Sequence, residues 1–482
     1  MKGREATSLD ARQGGPGRLL ALLLDPFHDV VGTHDRAVDS AYRTRLLILL
    51  TVALALDYAD RAGVGALGPD LKHAFHISNT GFGLVASAFA GVGALATVPA
   101  GILTDRARRT LVLGVSMVLW TLAMGLTGAA VTYSMLIGAR VLLGAVTATA
   151  RPMIASITGD VFEHDRRGRA LGLIDSGELV GNGLGFLAAG AIAAFFTWRG
   201  VFWSLGAFGA VAAVFVWRVR EPPRTLGDGG ANGVSRSAER IAEHVDGDPD
   251  PALVLEGDQS ELPLLEAARY VLRIRTNVLV IVAVAFTSLF FSAVRIFGVI
   301  FIVRQYAVGR SAADLILLVL GLGALFGMLA GGRIGDMLIH RGSPNGRLLV
   351  AAFSYLVAAG AFAPTLFVHV LWIGVPSGVL ASAALIAPTA PLDAIRLDVV
   401  HPQLWGRAEA TRNVFQITAD AAAPFTFGVL SDTLAGGGIA GMRWSYLIGL
   451  ALLVVAALCL LLGRRYYPRD VAAAVESAGR RT

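Results

Sequence analysis

Apolar runs of about 20 residues, parted by short polar connections, recur along the chain from residue 45 to residue 463. A helix rising about 1.5 Å per residue crosses the roughly 30 Å hydrocarbon core of a bilayer in one such run. Runs near 45–67, 81–103, 110–130, 134–158, 169–195 and 200–219, then near 276–304, 313–336, 347–368, 370–396, 408–432 and 443–463, predict an all-α membrane protein of twelve transmembrane helices. Between the sixth and seventh runs the composition turns to Gly, Pro, Asp, Glu and Ser, as in Asp246-Gly-Asp-Pro-Asp-Pro, which reads as a linker. The expected organisation is an N-terminal segment 1–43, a six-helix bundle 44–219, a linker 220–270, a second six-helix bundle 271–463 and a tail 464–482.

Composition agrees with that pattern, since 55% of residues are hydrophobic, only 16% are charged, and mean hydropathy is +0.64. The net charge of +6 would suggest nucleic acid in a soluble protein, but here its placement argues topology and no nucleic-acid partner. Arg106, Arg108 and Arg109, then Arg166, Arg167 and Arg169, then Arg341 and Arg347, then Arg407, all follow even-numbered runs. The positive-inside rule therefore puts both termini in the cytoplasm. Lys2 and Lys72 are the only lysines, an arginine bias that suggests a high-GC bacterial genome and so an inner (plasma) membrane protein. Cys459 is the only cysteine, which excludes an intrachain disulfide and a cysteine-cluster metal site. His73 and His76 are too few to hold zinc, and no metal or cofactor is expected. Leu19 to Val31 forms a short amphipathic patch that reads equally as a membrane-surface segment or a tail.

The two bundles echo one another. Gly101-Ile-Leu-Thr-Asp105 follows the second run and Gly332-Arg-Ile-Gly-Asp336 the eighth. Asp160 with Gly168-Arg169-Ala170 recurs as Asp398 with Gly406-Arg407-Ala408, 238 positions on. The same offset pairs Asp175 with Asn413, Glu178 with Gln416 and Asn182 with Asp420, so each bundle carries one polar stripe at spacing i, i+3, i+7. Two stripes in register imply duplicated halves whose matching helices line one interface.

The first run contains Asp57, Asp60 and Arg61. A charge at the centre of a lone membrane helix costs about 2.5–3.5 kcal/mol on insertion scales, so these residues are expected to face a bundle interior or a wet cavity. Asp57 and Arg61 are one turn apart on one face, and Asp60 adjoins Arg61. A structural ion pair within one helix is the competing reading. Arg61, Arg140, Arg151 and Arg295 are candidates to meet an anionic headgroup through paired guanidinium hydrogen bonds, with Asp57, Asp60, Asp175, Glu178 and Asp420 balancing them.

Gly101-Ile-Leu-Thr-Asp105-Arg106-Ala-Arg108-Arg109 resembles the motif that the major facilitator superfamily carries between its second and third helices. The resemblance implies two pseudo-symmetric six-helix bundles and a conformational clasp of Gly101, Asp105, Arg106, Arg109 and Asp160, echoed by Gly332, Asp336, Asp398 and Arg407. Within the superfamily, Asp60-Arg61, the Arg140 to Asp160 spacing and Arg220-Glu-Pro-Pro-Arg224 look most like the Spinster group of lysolipid and sphingolipid transporters. That group usually has a glutamate seven residues beyond the fourth-span arginine, where this chain has Thr147. Its loss puts the group's proton site in doubt, and Asp175 or Glu178 is the expected replacement.

The resulting expectation is a secondary active transporter, working by alternating access on a lysophospholipid-like amphiphile or another organic anion, with protons as the candidate coupling ion. Its pathway would comprise Asp57, Asp60, Arg61, Arg140, Thr147, Arg151, Asp175, Glu178, Asn182, Arg295, Asn413, Gln416 and Asp420. Partners would be a small-molecule or lipid substrate and the bilayer, with the chain taken as a monomer. A proton-coupled drug exporter or a carboxylate or sugar-acid symporter is the alternative. A membrane-embedded lipid enzyme is disfavoured, because the chain has no GxSxG elbow and no HExxH.

Overall fold

The computed structural model describes residues 40–106, 108–162, 164–219 and 262–479, with Ala238, Ile241 and 253–255 between them. Of Gly101, Asp105, Arg106, Arg109 and Asp160 only the backbone is described, so the expected N-terminal clasp lies outside the described side chains, as does the patch 19–31. The N-terminal half consists of α1 (Ser40–Ala66), α2 (Gly68–Phe75), α3 (Asn79–Arg106), α4 (Arg109–Gly128), α5 (Tyr133–Thr147), α6 (Ala150–Val161) and α7 (His164–Trp217). The C-terminal half consists of α8 (Leu264–Val271), α9 (Arg275–Tyr306), α10 (Arg310–His340), α11 (Gly346–Phe367), α12 (Leu371–Ile386), α13 (Thr389–Val399), α14 (Trp405–Thr433), α15 (Gly438–Gly463) and α16 (Tyr467–Gly479).

Among the described residues, 8 helices are long and apolar enough to cross a membrane. The other expected spans fall on α1, on α5 with α6, on the first part of α7 and on α14, which are broken or carry the polar residues. The sequence offset is also a structural one. Tyr133 and Leu371 open the broken fourth and tenth runs, and Val161 and Val399 close them, both 238 apart. Both breaks have a chemical cause. Pro388 and Pro391 remove backbone donors in the second half. In the first half Pro152 removes one, and the Thr149 hydroxyl donates to the Val146 carbonyl at 2.9 Å. A kink at Phe196 and Thr197, the latter at φ 59°, divides α7.

Helices press together where side chains are missing. On α7, Gly177, Gly181 and Gly185 lie against the Thr51, Ala55 and Ala59 carbonyls of α1, where a Cβ would collide with backbone. On α10, Gly323, Gly327 and Gly331 do the same against α12 and the residue after it, Ala387. Such small-residue stripes substitute close van der Waals contact for the hydrophobic drive that lipid cannot supply.

Among the described residues the buried apolar side chains form three cores. One, at the end of the bundle carrying the 67–79 connection, joins both halves through Phe82, Phe89, Phe297 and Phe427. Phe82 of α3 meets Phe297 of α9 edge-on, with centroids 5.5 Å apart. At the opposite end each half keeps its own core, around Leu50 and Ile157 in one and around Leu348 and Ile395 in the other. The halves are thus sealed together at one end.

Two expected boundaries differ. Residues 467–479 form α16, an amphipathic helix seated on the C-terminal half, where Tyr467 and Val471 are buried and Asp470 accepts from the Thr276 N–H at 2.9 Å. Helix α8 lies within the stretch expected as linker and buries Ala267 and Val271 in the same core. Apolar periodicity in both was masked by their short length.

Candidate functional site

Helix α1 carries Asp57, Tyr58, Asp60 and Arg61 toward its C-terminal end, spread around its circumference. Asp60 turns into the N-terminal half, where both of its carboxylate oxygens accept from one nitrogen of Arg140 on α5, at 2.8 and 2.9 Å. Both side chains are almost wholly buried, and the Arg140 guanidinium also lies 4.9 Å over the Phe202 ring. Arg61 does not pair with its neighbour Asp60. It donates to Asp57, one turn back, at 2.7 Å, and stacks between the rings of Tyr58 and Phe89. With 29% of its side chain exposed, Arg61 retains a solvent-facing edge. The rotation of about 100° per residue explains the split, since residues adjacent in sequence face different neighbours.

Below the break between α5 and α6, Arg151 projects from α6 to a second cluster. It donates to the Tyr58 hydroxyl at 2.9 Å, to Glu178 at 3.2 Å and to Asp175 at 3.3 Å. This group is open, since 57% of the Arg151 side chain is exposed. Thr147 caps the end of α5 by donating to the Gly144 carbonyl at 3.2 Å. With Asp57, Ser116 and Trp120 it lines a cavity of about 30 Å³, room for a water molecule rather than for a substrate. The Asn182 amide donates to the Glu178 carbonyl of its own helix.

Arg295 on α9 and Asp420 on α14 face these groups from the other half. The charges acting on the Asp420 carboxylate are Arg295, Arg61 and Glu178, two of them from the N-terminal half. Asn413 accepts weakly from Arg412 at 3.5 Å, and Gln416 is half-buried one turn on. The stripe of α14 therefore reaches the shared interface at Asp420, while Asn413 belongs to a neighbouring cluster.

That cluster was missed. Arg412 bridges Asp393 and Glu409 at 3.2 and 2.6 Å, and Arg396 also pairs with Glu409, tying α13 to α14. Its signal in the sequence was two i, i+3 charge pairs, Asp393 with Arg396 and Glu409 with Arg412. Tyr58 enters the site through the packing of α6 on α1, which brings Arg151 to its hydroxyl.

In the C-terminal half, Asp336 and Asp398, two of the residues expected in a clasp, meet at Arg347. Its guanidinium pairs with Asp336 at 2.8 Å and with the buried Asp398, which also accepts from the Tyr467 hydroxyl at 2.8 Å. Gly332 lets α10 approach Ala390 closely, and Arg407 stands at the start of α14. Arg347 lies 238 positions after Arg109, as Asp398 does after Asp160, so the repeat contained this pair as well.

The profile of the Major Facilitator Superfamily matches residues 50–424. The chain belongs to the Major Facilitator Superfamily. This superfamily member is 26% identical over 164 residues to a probable L-galactonate transporter of Escherichia coli (strain K12), an overlap covering 34% of this chain and 36% of that one. It is 31% identical over 144 residues to protein spinster homolog 1 of Xenopus laevis, covering 30% and 27% respectively. The matches thus span well under half the length of these relatives. In fold, the superfamily member superposes on a bacterial homolog of the human lysosomal transporter Spinster, in an inward-facing and unoccupied conformation, with a TM-score of 0.71 at 20% identity, over 91% of this chain and 99% of that one. A D-xylose–proton symporter gives 0.67 at 15% identity, over 87% and 97%.

Proposed function

We propose that the chain is a secondary active transporter of twelve spans with both termini in the cytoplasm, moving an organic anion by rocking its halves around the mid-depth charges. The supporting observation is that Arg61 and Arg151 keep exposed edges in the N-terminal half, while Asp420, with Arg295, faces Arg61 and Glu178 from the opposite half. A guanidinium with free donors binds a carboxylate or phosphate bidentately. Under this topology the sealed end is the outer one, and the open Arg151 cluster faces the inner vestibule.

The anion is read as a lysophospholipid-like amphiphile, in keeping with the Spinster-type Asp60, Arg61 and Arg140. A sugar acid is the second reading, favoured by the galactonate and hexuronate transporters among the sequence relatives. Protons are proposed as the coupling ion, with Glu178 taking the place of the carboxylate absent at Thr147.

Uptake into liposomes under an imposed pH gradient tests this, with lysophospholipids, galactonate and glucuronate as substrates. Transport of one class, reduced at least about tenfold in Arg61→Gln and Arg151→Gln, supports the site. Coupled transport undiminished in both Asp60→Asn and Glu178→Gln would sink the proton assignment.

A further inference from the structure

At the sealed end, Arg310 opens α10 and reaches into the other half. Its guanidinium pairs with Asp70 of α2 and donates to the Ala189 carbonyl of α7 at 2.6 Å. Asp314, one turn further along α10, approaches the same guanidinium at 3.7 Å, too far for a hydrogen bond. Its residue is 3% exposed and neither carboxylate oxygen accepts a hydrogen bond. Gly190 of α7 packs flush against it, since a Cβ there would stand 2.8 Å from Oδ2.

One guanidinium therefore stands between two carboxylates, Asp70 across the interface and Asp314 on its own helix, and its hydrogen bonds go elsewhere than to Asp314. The groups confronting Asp314 are Arg310 from its own helix, Asp70 from α2 and the uncharged backbone at 189–190 of α7. An ionised carboxyl buried without donors is costly, and a second carboxylate nearby adds repulsion. The neutral acid suits this site, and parting of the halves would expose it to water.

We infer that Asp314 is a proton-binding site of the interface, holding a proton while the halves are closed at this end and releasing it as they part. This rests on the alternating-access reading above. Acid in the compartment at this end then favours the closed state, and alkali favours opening. The site is separate from the Asp60 and Glu178 carboxylates and acts through the contact between α10 and α7.

The test uses full-length protein in nanodiscs, with Cys459→Ser and spin labels at Val131→Cys and Val370→Cys, which flank this end on the two halves. Pulsed dipolar distances are recorded from pH 5 to pH 8.5. The open-to-closed ratio should rise by up to about tenfold per pH unit through the titration. Asp314→Asn should stay closed throughout, and Asp70→Asn should move the transition to lower pH. Two distances whose ratio ignores pH, or an Asp314→Asn protein that keeps the wild-type response, would overturn the inference. A single distance under every condition, substrate included, would instead overturn alternating access itself.

Discussion

Asp60 and Arg140 lie 80 positions apart yet pair at 2.8 Å with almost no exposure to solvent, leaving Arg61 to Asp57. The pair fixes α1 to α5 at the depth where the halves meet. Removing one partner leaves the other as an uncompensated buried charge, at a cost of about 3–5 kcal/mol. Asp60→Asn should therefore lower the melting temperature in detergent sharply, and Asp60→Asn with Arg140→Gln should recover most of the loss. A double variant as unstable as the sum of the singles would contradict the pairing.

Glycines on α7 offer a contrast within one turn. Gly181 faces the Ala55 carbonyl, whereas Gly183 meets only Leu318 at 3.8 Å. Gly181→Ala should destabilise by about 1–3 kcal/mol through forced separation of α1 and α7, and Gly183→Ala should lie within about 0.5 kcal/mol of wild type. Thermal unfolding of the two variants side by side is the measurement.

Asp432, in the last turn of α14, caps α3 of the opposite half, accepting from the Thr80 N–H and hydroxyl at 2.7 Å each and from the Asn79 N–H at 3.3 Å. Loss of such a cap costs about 0.5–2 kcal/mol. Asp432→Ala should shift the closed-to-open ratio at this end roughly 2- to 30-fold toward open. The spin-label pair at Val131→Cys and Val370→Cys would report it through a larger share of the longer distance.

Lys72 lies in the 67–79 connection beside Asn79, and burial, reinforced by Arg304, pushes its ammonium down to about 8. Between that value and the ordinary lysine value near 10.5 the unfolded chain binds more protons than the folded one. Stability should therefore rise with pH across this window. Melting curves from pH 7.5 to 10 should show the rise, and Lys72→Met should flatten it.

Arg347 joins Asp336 to Asp398, and Tyr467 of the terminal helix joins the same carboxylate. Arg347→Ala should cost about 3–5 kcal/mol, while Tyr467→Phe, which removes one hydrogen bond to a charge, should cost about 1.5–3 kcal/mol. Denaturant unfolding of both variants would separate the two contributions.

Much of this was legible along the chain. Run length and apolarity located the 8 described helices able to cross a membrane, because a bilayer demands that length of any helix crossing it. The offset of 238 residues recurs in the outer ends of the broken fourth and tenth runs, whereas the breaks themselves, at Thr147–Ala150 and Ile386–Thr389, fall in stretches expected as continuous and arise from different local breakers in the two halves. Adjacency, however, did not separate the partners of Asp57 and Asp60. The helix turns by about 100° per residue, so the partner of each carboxylate was set by which helix lay on its side: α5 for Asp60, α1 itself for Asp57.

Partners from distant segments depended on packing. Nothing in the order of residues indicates that Arg310 meets Asp70, that Asp432 caps α3, or that Tyr467 reaches Asp398. The sequence by itself determined the all-helical, apolar character of the chain and the chemistry each segment could present, since these follow from local periodicity and solvent. Only the tertiary structure decided which charges neutralise one another and at which end the halves close, since those depend on helix rotation and on backbone approach at residues such as Gly181 and Gly190.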